Sequence, residues 1–198
     1  MASILKVDTI QDQSGNNIIN ENADTITIGA SGDTITIPTG ASLTVPSGKL
    51  TGQNYPAFFA YLGSAQSASN NTTTKVQIDT EIFDSDSCYD NATNYRFTPT
   101  VAGKYFVYGA VANEAQTANK LLSSQAFIYK NGVNYTNPNA NIAENNITRF
   151  IQDTTAVIDM NGTSDYIELF GEFSVGAGTG EFNQGLKQTY FGAFRLGD

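Results

Sequence analysis

The chain contains no histidine, no tryptophan, one cysteine, five prolines and ten basic residues in 198. Each shortage removes a class of function. Without His, the commonest general base, thiol activator and metal ligand is missing. Cys88 therefore has neither a disulfide partner nor an imidazole to activate it, and a thiol buried in or near a strand is expected. Ten Lys and Arg against nineteen Asp and Glu give a formal net charge of -9. The few cations are scattered, so they make no track for a phosphate backbone and no patch for an anionic membrane surface. No apolar run approaches the roughly 18 residues of a membrane-crossing helix. The N-terminal region lacks the basic, apolar and small-residue order of a signal peptide. The expectation is a soluble chain made in a cytoplasm without export, with neither nucleic acid nor membrane as partner.

What is present is aromatic and β-prone. Twelve Phe and ten Tyr lie within a 40% hydrophobic chain, so a sizeable core can form, and Gly, Ser, Thr and Asn crowd the stretches between apolar runs. This composition is all-β. Nucleotide motifs fail on inspection. Gly176-Ala177-Gly178-Thr179-Gly180 lacks the following Lys-Ser/Thr and lies between strands, so it is read as a flexible loop. Asp79 and Glu81 alternate onto a wet strand face, and no carboxylate pair suited to glycoside hydrolysis stands out. No catalytic residue and no cofactor are assigned.

Residues 1–52 hold no aromatic residue. Three similar units follow one another there: Asp24-Thr25-Ile26-Thr27-Ile28-Gly29, Asp33-Thr34-Ile35-Thr36-Ile37-Pro38 and Ala41-Ser42-Leu43-Thr44-Val45-Pro46. Each is a short alternating strand closed by Gly or Pro. Alternation puts Ile26/Ile28, Ile35/Ile37 and Leu43/Val45 on one face. Such units need stacked neighbours to bury that face. Three chains wound together would provide them, in a form that resembles the shaft repeats of viral fibres. A single β-meander docked on the main domain is the plainer alternative. The stretch Ser3-Ile4-Leu5-Lys6-Val7-Asp8-Thr9-Ile10-Gln11-Asp12-Gln13-Ser14-Gly15-Asn16 resembles the N-terminus of structural proteins of tailed phages of marine bacteria.

From Tyr55 onward, short strands alternate with polar loops, at about 57–62, 75–83, 94–98, 103–111, 124–130, 149–160, 165–173 and 188–196. The absence of helical periodicity points to a β-sandwich. In 75–83, Val76, Ile78 and Ile82 are expected inside. Asn131-Gly132 is a hairpin signal. Two strands are apolar on both faces. In 103–111, Tyr105, Val107 and Val111 point one way and Phe106, Tyr108 and Ala110 the other. In 188–196, Tyr190, Phe194 and Leu196 oppose Phe191 and Ala193. A strand with no wet side belongs to the middle of a sandwich or covers its second face with another subunit.

The order and spacing of Ala57-Phe58-Phe59-Ala60-Tyr61-Leu62, Phe83-Asp84, Tyr89-Asp90, Phe97-Thr98-Pro99-Thr100-Val101-Ala102-Gly103-Lys104-Tyr105-Phe106-Val107, Tyr129-Lys130-Asn131-Gly132, Asp165-Tyr166-Ile167-Glu168-Leu169 and Tyr190-Phe191-Gly192-Ala193-Phe194-Arg195-Leu196 resembles the globular head of the complement 1q / tumour necrosis factor superfamily, over residues 55–196. The resemblance implies a jelly roll of about ten strands, packed as a trimer around a three-fold axis. The expected intersubunit residues are Tyr105, Val107, Tyr190, Phe191 and Phe194 in the head, and Ile26, Ile28, Ile35 and Ile37 in the shaft. The family's usual collagen stalk is absent, because no Gly-X-Y period exists. The Ile/Thr repeat stands in its place, which points away from complement-like and hormone-like roles.

Two binding features complete the expectation. Asp84, Asp86 and Asp90 share one loop at a spacing that suits calcium, although the helix–loop–helix calcium pattern fails and a solvated acidic loop is the plainer reading. Some members of the resembled family hold calcium near the top of the trimer. Tyr135, Asn137, Asn139 and Phe182 lie in loops of aromatic and amide character that suit a host surface glycan. The organisation expected is an attachment segment (1–22) bound to other virion proteins, a short β-repeat shaft and linker (23–54) and a jelly-roll knob (55–198). The whole would be a non-enzymatic homotrimer at a virion surface: a short fibre, a capsid decoration, or the receptor-binding tip of a tail fibre.

Overall fold

The computed structural model describes residues 9–11, 13–15, 17–22, 25–28, 32, 34–37, 41, 56–142 and 147–197. The chain divides into two compact units, Met1–Thr51 and Gly52–Asp198. Strand is the only regular secondary structure among the described residues.

In the first unit, β1 (Thr9–Gln11), β2 (Asn17–Asn22) and β3 (Thr25–Ile28) form an antiparallel meander in that order. The pairs Ile10↔Ile19 and Ile19↔Ile28 line three isoleucines across the ribbon. All three are exposed. Ile26 pairs across the ribbon with Glu21. Residues 34–37, expected as a strand, pair with none of the described residues, and Ile35 and Ile37 are exposed. The rest of the third repeat, after Ala41, lies outside the described residues, as does the opening segment before Thr9.

The second unit contains β4 (Ala57–Tyr61), β5 (Gln66–Ala68), β6 (Thr74–Lys75), β7 (Thr80–Asp84), β8 (Tyr89–Asp90), β9 (Arg96–Phe97), β10 (Gly103–Ala115), β11 (Leu121–Lys130), β12 (Val133–Asn134), β13 (Asn139–Asn141), β14 (Arg149–Met160), β15 (Ile167–Val175), β16 (Gly180–Phe182) and β17 (Tyr190–Gly197). They make two antiparallel sheets. One runs β5-β16-β10-β17-β4-β7, with β14 on the far side of β10. The other runs β12-β11-β15-β9-β8, with β13 on β11 and β6 on β15. β10 is the spine of the first sheet. It pairs with β14 from Gly103↔Met160 to Glu114↔Arg149, while β17 and β16 share its other edge. At the β11–β12 hairpin, Asn131 and Gly132 both have positive φ (52° and 76°), which the two-residue Asn-Gly turn requires.

The core fills the space between the sheets. Phe58 and Ala60 from β4, Tyr105, Val107 and Val111 from β10 and Phe191 and Ala193 from β17 meet Ala126, Ile128, Ile167, Leu169 and Phe173 from the second sheet, all fully or almost fully buried. Phe58 stacks on Tyr89 at 4.4 Å and on Phe97 at 4.6 Å. Each large apolar side chain buried this way contributes roughly 1.5–3 kcal/mol. The Tyr105 hydroxyl donates to the Val101 carbonyl at 2.7 Å, and burial pushes its pKa up to about 12. Cys88 is buried, and burial raises its thiol pKa. Lys75 and Glu168 form a partly buried ion pair at 2.5 Å, with Lys75 also donating to the Asn94 carbonyl at 3.2 Å.

The expected strand 75–83 is corrected. The chain leaves the second sheet after β6 and enters the first at β7, so residues 76–79 cross between layers. Val76 and Ile78 are buried on the way. Ile82 is 53% exposed. It sits where the β4–β7 register shifts between Phe59↔Phe83 and Ala60↔Glu81, and the extra residue breaks the alternation.

Candidate functional site

The outward face of the first sheet departs most from ordinary surface chemistry. An antiparallel sheet with one face on the core normally turns polar side chains outward. Here β10 turns out Phe106 and Tyr108, β17 turns out Tyr190 and Phe194, and β4 turns out Phe59. All five are half-buried. Register brings them together: Phe106 is opposite Phe194, and Tyr108 and Phe59 flank Gly192 on either side. The rings form one connected set. Phe106 lies 5.5 Å from Phe194 and 6.0 Å from Tyr108; Phe59 lies 6.0 Å from Tyr108 and 5.8 Å from Tyr190. Gly192 permits this closeness, since a Cβ there would stand 2.5 Å from the Tyr108 ring. Phe83 beside Phe59, Val157 beside Phe106 and Leu196 on β17 are exposed around it.

The face is apolar with a small polar margin. Burial raises the pKa of the Tyr108 and Tyr190 hydroxyls, and the negative charge of Asp153 adds to the second. Lys104 and Asp159 pair at 3.5 Å on the exposed edge between β10 and β14. A contiguous apolar surface of this kind is the signature of a surface that meets another surface.

The structure sorts the residues expected between subunits. Tyr190 and Phe194 lie on the outward face. Tyr105, Val107 and Phe191 are corrected to core residues: they point between the sheets and are fully buried within one chain. The residues sequence reasoning left out of the set are Phe59, Phe106 and Tyr108. Alternation had separated Phe106 and Tyr108 from Tyr105, but parity alone does not tell which set faces the second sheet.

The acidic loop does not converge. Asp84 accepts from the Tyr89 amide at 2.7 Å. Asp86 accepts from the Thr100 hydroxyl at 3.1 Å. Asp90 accepts from the amides of Ala92, Thr93 and Asn94 and from the Asn94 side chain. These bonds, the Thr93 amide first, hold the Asp90 pKa down at about 2. Among the described residues no group of three or more His, Cys, Asp or Glu side chains is placed to hold a metal ion. Asp84 and Asp90 organise their own loop, and Asp86 ties it to Thr100 beyond β9.

The expected receptor set also divides. Tyr135 is 51% exposed, and Asn137 and Asn139 are exposed. Phe182 is corrected: it is fully buried, edge-on to Phe173 at 5.8 Å. Gly171 and Gly180 make room, since a Cβ at either would stand under 3 Å from one of those two rings.

No protein-family model matches the sequence, and no curated protein does. Solved structures do match in shape. Murine APRIL at pH 8.0 aligns with a TM-score of 0.50 and 13% identity, over 71% of this chain and 98% of that one. The globular domain of zebrafish complement 1qA gives 0.47 and 13%, over 71% and 97%. Eiger TNF from S. frugiperda gives 0.48 and 10%, over 72% and 94%. On the alignment with murine APRIL and on its own two-sheet topology, the chain has an all-β jelly-roll fold of the tumour necrosis factor and complement 1q type.

Proposed function

We propose that this chain is a non-enzymatic homotrimeric virion structural protein, a short surface fibre or capsid decoration of a tailed phage. The observation that carries the assembly half of this reading is the outward aromatic face of Phe59, Phe106, Tyr108, Tyr190 and Phe194. Closed symmetry hides such a face in every copy and leaves none to nucleate open aggregates. Three-fold closure is the symmetry that the family resemblance implies. It also offers the row Ile10, Ile19 and Ile28 two sister ribbons to pack against. The virion half rests on residues 3–16, which resemble phage structural proteins, and on the Ile/Thr repeat in the place of a stalk. In this reading the N-terminus meets other virion proteins and the knob is displayed outward. The protein is made in the host cytoplasm. With no His and no convergent carboxylates assigned, its work is assembly and display.

Light scattering on the purified chain tests assembly: about 64 kDa is expected, three times the 21.2 kDa chain. A stable monomer refutes it. Mass spectrometry of particles washed in high salt tests the placement. Absence from particles, with the protein present in the lysate, refutes the virion reading and leaves the trimer standing.

A further inference from the structure

One edge of the sandwich holds a cavity of about 370 Å³ that the outward sheet face does not use. It opens between the segment leaving β4, the crossover from β6 to β7, and Tyr95 just ahead of β9. The volume falls within the roughly 300–1,000 Å³ range of small-ligand sites. We propose that it is a binding site for a neutral saccharide.

The wall is pinned from behind. Gln66 spends both ends of its carboxamide on the opposite segment: its Nε2 donates to the Lys75 carbonyl and its Oε1 accepts from the Gln77 amide, each at 2.8 Å. The Gly63 amide donates to Asp79 Oδ1 at 2.7 Å, and the Ala65 amide donates to Gln184 Oε1 at 2.6 Å. Asn91 donates to the Asp79 carbonyl at 3.2 Å. These bonds fix the backbone and leave other polar atoms unspent. Asp79 Oδ2, the Gln77 carboxamide and the hydroxyls of Ser64 and Ser67 make no hydrogen bond to the described residues, and all four residues line the cavity. The backbone of the wall is held by these bonds, while the side chains of Ser64, Ser67, Gln77 and Asp79 are exposed and keep polar groups open to a ligand.

Three features select the ligand. The lining contains no Lys or Arg, and its one charge is the Asp79 carboxylate. Phosphate, sulfate and acidic sugars are therefore repelled. A single carboxylate falls short of a calcium site and of a hydrolytic pair. What remains is a carboxylate, a carboxamide and two hydroxyls, the groups that bond vicinal hydroxyls, together with Leu62 and one aromatic residue. That aromatic is Tyr95, whose φ is +50°. A bulky residue in the left-handed region is a conformational outlier, and such outliers gather at functional sites. Gly or Asn would fit the backbone better; a tyrosine supplies a ring for the apolar face of a pyranose.

The site extends the display reading, since a surface knob is well placed to meet a host glycan. The two readings fail separately, because light scattering tests assembly and the measurement below tests the cavity. Saturation-transfer NMR on the full chain would use the methyl glycosides of glucose, galactose, mannose and N-acetylglucosamine, with N-acetylneuraminic acid as the acidic probe. At least one neutral glycoside is expected to bind at a millimolar Kd, and the acid to give no signal. Asp79→Asn keeps the acceptor for the Gly63 amide, and Tyr95→Gly keeps the left-handed backbone. Both variants should melt and assemble like the parent while binding at least tenfold more weakly. Saturation of no neutral glycoside, preference for the acid, or unchanged binding in both variants overturns the proposal.

Discussion

Tyr105 and Phe106 are chain neighbours on opposite faces of β10, and replacing each by Asp separates folding from assembly. Tyr105 is fully buried and its hydroxyl is bonded to the Val101 carbonyl. Deleting a buried aromatic costs about 3–5 kcal/mol, and a carboxylate forced between the sheets adds several more. That sum takes most or all of the about 5–15 kcal/mol that holds a domain together. Phe106 is half-buried on the outward face, so within one chain the same change costs about 1 kcal/mol. In a trimer it removes only the burial that the single chain leaves incomplete, roughly 1–1.5 kcal/mol from each of three subunits. The assembly is then weakened by about 3–4.5 kcal/mol, or about two to three orders of magnitude in its association constant. Circular dichroism melting and light scattering on both variants read the two effects apart. Tyr105→Asp should lose its cooperative melt, while Phe106→Asp should keep its melt and fall to one-chain mass. A Phe106→Asp protein that keeps the parent's mass refutes the outward face as the contact. A Tyr105→Asp protein that stays folded and changes only its mass refutes the assignment of faces.

Gly180→Ala should lower stability by about 1–3 kcal/mol, because a Cβ there stands 2.3 Å from the Phe173 ring; a urea titration with an unshifted midpoint would count against the packing. Phe182→Ala should cost about 3–5 kcal/mol, because the ring is fully buried against Phe173; an unshifted urea midpoint would place the ring outside the core. Lys75→Met should cost about 2 kcal/mol, because the nearly buried Glu168 loses its ion-pair partner and the Lys75 end is partly screened by solvent; chemical denaturation checks it, and equal stability refutes it. Asp90, with its folded pKa held at about 2, stabilises the fold when ionised. Its contribution is complete above the unfolded value of about 4 and fades as pH falls toward 2. Asp90→Ala should therefore cost about 1 kcal/mol at pH 7, after discounting for exposure, with the gap from the parent closing by pH 2; a gap that stays constant with pH refutes the linkage.

Some of this was legible in the sequence because it is local. The Asn131-Gly132 turn announces itself, since few other residues accept positive φ twice in succession. The doubly apolar runs at 103–111 and 188–196 are legible because alternation needs only the chain itself. What was not legible depends on a second element. The pattern Val76, Ile78, Ile82 reads as one strand, yet residues 76–79 cross from one sheet to the other. Periodicity records which residues share a side, not which sheet they join. Phe182 looks like a loop aromatic because its strand is three residues long. Its burial is decided by the space that Gly171 and Gly180 leave near it. The aspartates at 84, 86 and 90 read as a cation loop because spacing shows where carboxylates are, while Asp84 and Asp90 spend theirs on nearby backbone amides and Asp86 on the Thr100 hydroxyl.

The assignment of faces on β10 carries the same lesson into function. Alternation places Tyr105 with Val107 and Phe106 with Tyr108, and each set is apolar enough to be the core. Only the position of β11 and β15 over Tyr105 decides between them. Once that is known, Phe106 and Tyr108 become surplus to the fold. The sandwich is closed without them, yet they stand ring to ring with Phe59, Tyr190 and Phe194. A side chain whose burial the single chain does not complete contributes its remaining stability when a partner covers it. That is why the trimer is sought on this face, and why a charge placed there should part the subunits and leave each one folded.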